Sequence, residues 1–124
     1  MIMGIEYLMV FIGGSLGAVC RFAVSIQMKR IISTEFPLAT FLINVTGSFF
    51  LGLLLSSHTG NLIQLMLGTG FLGGFTTFST FQVENVTLYK KGNLRTLLLY
   101  VSLSVFFCVM SACFGLRIGD WLQN

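Results

Sequence analysis

The sequence predicts an all-α membrane protein with four transmembrane helices, and three observations point there. Hydrophobic residues make up 55% of the 124 positions and charged residues only 9%, whereas an ordinary soluble domain carries about a quarter charged. A fold this small cannot cover itself with so little charge, so the bilayer is its natural solvent. Four apolar stretches, roughly 7–27, 37–57, 62–89 and 94–116, each reach the ~20 residues needed to cross about 30 Å of hydrocarbon. The loops between them, about 28–36, 57–61 and 90–93, are short, which predicts antiparallel neighbours in one compact bundle over 1–124.

The first span does not read as a cleavable leader, since no basic run precedes it, it is too long, and three more spans follow. Gly13, Gly17 and Arg21 recur every four residues and so share one face. With Gly14 beside them, Gly13 and Gly17 form a GxxxG step of the kind that lets helix backbones approach in lipid. The contact it serves is either within one subunit or between two. Arg21 either snorkels toward headgroups or supplies positive charge at a vestibule that attracts anions.

In the second span Thr40, Asn44, Gly47 and Ser48 form a polar stripe. Asn44, near the middle, serves either as interhelical glue or as a donor along an anion path.

The third span is too long for one straight crossing. Gly73-Gly74-Phe75-Thr76-Thr77 weakens it near its middle, and a break there frees carbonyls on one half-helix and N–H groups on the next. Such backbone is tolerated at membrane depth only where it lines a cavity or binds something, and unwound carbonyls can hold a cation. A glycine-lined packing contact without a break is the alternative, and Gly70 with Gly74 makes a second GxxxG step. Beyond it, Phe78 and Phe81 share a face, and Thr80, Glu84 and Thr87 are placed opposite, with Ser79 between. Aromatic ring edges carry positive charge density and stabilise an anion weakly.

In the fourth span Tyr100, Ser104, Cys108 and Ser111 form another polar stripe. Together these stripes are rich in hydrogen-bond donors and almost free of charge. Uncharged donors suit a small anion that must lose water on the way in and still leave again.

Charge placement excludes other classes. The net charge of +3 comes largely from Lys29, Arg30, Lys90, Lys91 and Arg95, all beside span ends. Basic residues there meet headgroups, so no nucleic-acid partner is expected. The excess puts the first and third loops in the cytoplasm and both termini outside. Cys20, Cys108 and Cys113 form no CxxC pair and read as apolar fillers, and His58 as a solvated loop residue. No phosphate loop, nucleotide fingerprint or catalytic triad is present, so neither an enzyme nor an energised pump is expected.

Three segments together resemble the Fluc (CrcB) fluoride channels: Gly13-Gly14-Ser15-Leu16-Gly17-Ala18 with Arg21; Thr40 and Asn44 with Gly47; and the run from Gly73 through Phe81. The resemblance covers essentially the whole chain. It implies a passive fluoride channel conferring fluoride resistance in the bacterial plasma (inner) membrane, built as a dual-topology antiparallel dimer with two pores. It also implies a structural sodium ion at the dimer centre, held by the carbonyls of Gly73 and Thr76 from both subunits. By the same resemblance Phe78 and Phe81 line the pores with Asn44, and Ser79, Thr80 and Glu84 form a polar track. Tyr100 and Ser104 are pore-side residues, and Arg21 lies near a vestibule. Family members often carry a hydroxyl where this chain has Cys108. Homodimeric members tend toward balanced Lys/Arg, whereas this chain is lopsided. Its inverted partner is then either a second copy or a related chain of opposite topology. Two competing classes are a small proton-coupled multidrug-type exporter, which needs a carboxylate deep in the membrane, and a membrane assembly subunit, which leaves the polar stripes unexplained.

Overall fold

In a computed structural model describing residues 2–124, every regular element is helical. Helix α1 spans Ile2–Ile31 and α2 spans Leu38–Ser56. The next stretch is assembled from α3 (Asn61–Gln64), a π-helical segment (Leu65–Leu72), α4 (Gly73–Phe75) and α5 (Ser79–Lys90). Helix α6, Leu94–Gln123, completes the bundle. Four segments are long and apolar enough to cross a membrane: Met3–Ile31, Leu38–Ser56, Asn61–Lys90 and Leu94–Gln123.

The outer two helices run past the apolar stretches seen in the sequence. A helix need not stop at the headgroups, and Lys29 and Arg30 in the last turn of α1 suit its negative end. At the third loop, Gly92 takes the left-handed conformation, φ 73°. The Gly92 and Asn93 N–H groups donate back to the Tyr89 and Leu88 carbonyls, each at 3.0 Å, which closes α5. Asn93 then caps α6 by accepting from the Thr96 N–H at 3.3 Å, and its amide donates to Glu35. One residue thus ends a turn, starts a helix and fastens the first loop to the third.

Two glycine seams hold the bundle. Along α1, a Cβ on Gly13 would collide with the Met66 carbonyl, and one on Gly17 with the Phe71 carbonyl. From the other side, a Cβ on Gly74 would strike the Gly14 carbonyl. Both GxxxG steps are therefore consumed within the subunit. Between α2 and α6, Gly52 lies against the Ala112 carbonyl and Gly115 against that of Phe49, and the Ser111 hydroxyl donates to the Val45 carbonyl at 2.8 Å. Large apolar side chains such as Phe11, Phe22, Phe114 and Trp121 point outward, as lipid solvent demands. Close van der Waals approach, not burial of apolar surface, supplies the cohesion.

The π-helical segment was not legible in the sequence. Its wider turn carries one extra residue per hydrogen-bonded ring, a rare geometry that tends to occur at functional sites. It lies under the glycine face of α1 and leads directly into α4.

Candidate functional site

The third segment gives up its helix at Thr76, whose backbone is extended at φ −75°, ψ 158°. The weakness read at Gly73-Gly74-Phe75-Thr76-Thr77 is thus placed differently: Gly73, Gly74 and Phe75 are helical, and residues 76–78 are not. Gly74 spends its lack of a side chain on close approach to Gly14 of α1, and the helix yields where a threonine can supply its own bonds. The Thr76 hydroxyl donates to the Leu72 carbonyl at 2.8 Å, which the Thr76 N–H also uses at 2.9 Å.

Asn44 organises the next residue. Its amide N–H donates to the Thr77 carbonyl and its Oδ1 accepts from the Thr77 N–H, each at 2.9 Å. This reciprocal pair treats Thr77 as a strand neighbour would, and it satisfies both backbone groups at depth. The Thr77 hydroxyl in turn accepts from the Thr80 N–H at 3.1 Å and donates to the Thr80 hydroxyl at 3.1 Å, with Ser79 Oγ at 3.4 Å.

These bonds single out two carbonyls. In a continuous helix the Thr77 N–H would donate to Gly73 and the Thr80 N–H to Thr76. Asn44 takes the first and the Thr77 hydroxyl takes the second. Gly73 and Thr76 therefore lose their helical donors, and Gly73 is exposed. Hard carbonyl oxygens are the ligands a sodium-like cation accepts. Among the described residues no cluster of three or more His, Cys, Asp or Glu competes as a metal site.

Beside the interruption an open cleft of about 410 Å³ runs between α2, the third segment and α6. It brings together Asn44, Gly73, Thr76, Phe78, Phe81, Ser104 and Cys108, and no lining residue is charged. Phe78 is 71% exposed, and its ring centroid lies 6.0 Å from that of Phe81. The Ser104 hydroxyl is buried and has no hydrogen-bond partner among the described residues. A buried donor without a partner is costly, and this one lines the cleft.

Behind Phe81 lies a second polar cluster. Tyr100, fully buried, packs its ring 5.0 Å from that of Phe81 and donates its hydroxyl to Glu84 Oε2 at 2.6 Å. Thr40 donates to Glu84 Oε1 at 2.8 Å. Glu84 and Phe81 thus converge on Tyr100 rather than taking opposite sides of α5, because residues three apart lie nearly above one another on a helix. Ser79 and Thr80 belong to the Thr77 cap, and neither is among the cleft residues. Arg21 is half-exposed on α1 and also stands apart from the cleft.

Two residues that the sequence marks without giving them a site role complete the site. Thr77 is the hub of the interruption, and Thr40 is the second donor to Glu84. A signal for Thr40 was present: it precedes Asn44 by one turn on the same face, and a carboxylate in an apolar run needs donors from somewhere.

The family described as CrcB-like protein, Camphor Resistance (CrcB), matches residues 8–116. The chain is 48% identical over 115 residues to fluoride-specific ion channel FluC 2 of Bacillus thuringiensis subsp. konkukian, covering 93% of this chain and 98% of that protein. It is 49% identical over 115 residues to fluoride-specific ion channel FluC 1 of Listeria innocua serovar 6a, with the same coverage. Against fluoride-specific ion channel FluC 1 of Ligilactobacillus salivarius it is 44% identical over 113 residues, 91% of this chain and 95% of the other.

Proposed function

The chain belongs to the CrcB family, and from that premise we propose how its residues conduct. It is a fluoride-selective ion channel, a multi-pass membrane protein and not an enzyme, exporting fluoride passively and so lowering the cytoplasmic concentration. The setting is the bacterial plasma membrane.

The observation that carries the mechanism is the cleft without a charged residue. Fluoride entering it sheds water and finds uncharged donors in return: the Ser104 hydroxyl, which has no partner among the described residues, and the second amide N–H of Asn44. The ring edges of Phe78 and Phe81 add weak positive potential. None of these is a fixed cation, so the ion is held loosely enough to leave. Tyr100 and Glu84 continue the polar route behind Phe81 with Ser79 and Thr80 alongside, and Arg21 supplies positive potential at a vestibule. Cys108 stands at the cleft with a thiol, a poor donor beside the hydroxyls.

A second subunit in inverted orientation completes the channel. Support comes from the exposure of Gly73 and Phe78 beside an interrupted backbone, since freed carbonyls at membrane depth cannot face lipid. The carbonyls of Gly73 and Thr76 would hold a structural sodium ion at that contact. When bound, the ion supplies the positive charge that satisfies them. The Lys/Arg excess at one end of the bundle favours a related chain of opposite topology as the partner over a second copy.

The exporter reading lacks support because Glu84 is engaged by two hydroxyls. The assembly-subunit reading leaves the Ser104 hydroxyl without a purpose. Purified protein in liposomes is expected to release fluoride but not chloride down its gradient, with no proton gradient imposed, and retention of fluoride would overturn the channel. Full conductance from this chain alone would show that a second copy suffices as partner. Phe78→Ile is expected to reduce flux with assembly intact, and unchanged flux would make the exposed ring a packing element.

A further inference from the structure

The loop joining α1 to α2 closes over a smaller pocket of about 90 Å³, large enough to admit water. Its walls come from the last turn of α1, from Thr34 and Phe36 in the loop, and from the start of α2. Two of its lining residues carry charge, Lys29 and Glu84. The Glu84 carboxylate is the one that Thr40 and Tyr100 hold, so the pocket begins where the polar cluster behind Phe81 ends.

Aromatic rings mark the way across. Centroids lie 6.0 Å apart from Phe78 to Phe81, 5.0 Å from Phe81 to Tyr100, and 5.3 Å from Tyr100 to Phe36. The first two rings line the cleft and the last lines the pocket. Tyr100 stands between as the partition, with its hydroxyl fixed on Glu84. The cleft and the pocket are the two ends of one series of neighbouring rings.

A carboxylate at the end of an anion path poses an electrostatic problem, because it repels the ion most where water is scarce. Both Glu84 oxygens accept from hydroxyls, so the group keeps its place without consuming a cation. Lys29, exposed on the last turn of α1, faces the same small space. A mobile ammonium there offsets the carboxylate's field and raises the local anion concentration.

Resting on the fluoride-channel reading above, we propose that the loop pocket is a port of the fluoride path. Lys29 is its charge-setting residue and Phe36 its aromatic wall. Arg30, the next residue, shares the same end of the bundle but does not line the pocket, which makes it the control. At low ionic strength Lys29→Gln is expected to lower fluoride conductance in planar bilayers about two- to fivefold, with K29E lower still. The difference should shrink toward nothing at high ionic strength, because salt screens an exposed charge. Arg30→Gln should conduct as the unaltered protein does. Equal conductance in Lys29→Gln, an equal fall in Arg30→Gln, or a fall that ignores salt would each overturn the port. Failure of the unaltered protein to pass fluoride in the same bilayers would fall instead on the channel reading. Lys29 is exposed, so its replacement leaves folding intact, which gel filtration of each variant verifies.

Discussion

The α1 seam and the cleft beside α5 use similar small and polar residues to opposite ends. At the seam, Gly13, Gly17 and Gly74 press backbone against backbone, and a single added carbon would meet a carbonyl oxygen. At the cleft the helices stand apart, and Asn44, Thr77 and Ser104 occupy the space between them. Without a hydrophobic drive inside lipid, cohesion comes from close approach. A polar route survives only where approach is denied and the freed backbone groups meet a side chain or line a cavity. The two jobs divide by face as much as by helix: α1 seals, while α2 and α6 close on each other at Gly52 and Gly115 and line the cleft from other positions.

The contrast can be broken most severely at the seam. Gly17→Val must displace backbone rather than a flexible side chain, and overpacking of this kind costs about 1–3 kcal/mol or more. The expected result is loss of monodisperse protein on gel filtration. Gly4→Ala, with nothing within 4 Å of its Cβ, should behave as the parent. A well-assembled, conducting Gly17→Val would remove the seam's architectural role.

Next comes the hinge between the two regions. Asn44→Ala strands the N–H and carbonyl of Thr77, each at about 1–3 kcal/mol. It should lower fluoride flux about tenfold or more and lower the melting temperature as well. Asn44→Asp keeps the acceptor but loses the donor, and should fall between. If Asn44→Ala lost flux with its melting temperature unchanged, Asn44 would be an ion contact only and not the organiser of the interruption.

The smallest effect is expected on the cleft side. Tyr100→Phe keeps the ring beside Phe81 and removes one hydrogen bond to Glu84, a loss of about 1.5–3 kcal/mol for a charged acceptor. Flux should drop by less than in Asn44→Ala, with assembly preserved. A larger loss than Asn44→Ala would make the Glu84 cluster, not the interruption, the more sensitive element.

Much of this site could be read before the fold was known. Polar stripes single out Asn44 and Ser104 and the family resemblance adds Phe78 and Phe81, and all four line one cleft; that they carry fluoride is the proposal made above. Other residues were harder to place. Thr80 and Ser79 belong to a cap because their neighbour Thr77 turns its hydroxyl onto the Thr80 N–H, a choice that depends on where the helix ends. Glu84 needed partners that no local pattern names, since Thr40 is 44 positions away.

Amino-acid composition and period alone determined the solvent, the four crossings and the clustering of basic residues at one end. These follow from burial costs summed over whole segments, which do not depend on which helix meets which. Tertiary structure alone decided that both GxxxG steps are spent within the subunit and that the glycine pair stays helical while Thr76 opens. It also decided that Asn44 serves backbone before it serves an ion. Those outcomes turn on single hydrogen bonds and single carbon atoms between distant segments, where two readings of the same residues differ only by the identity of the neighbour.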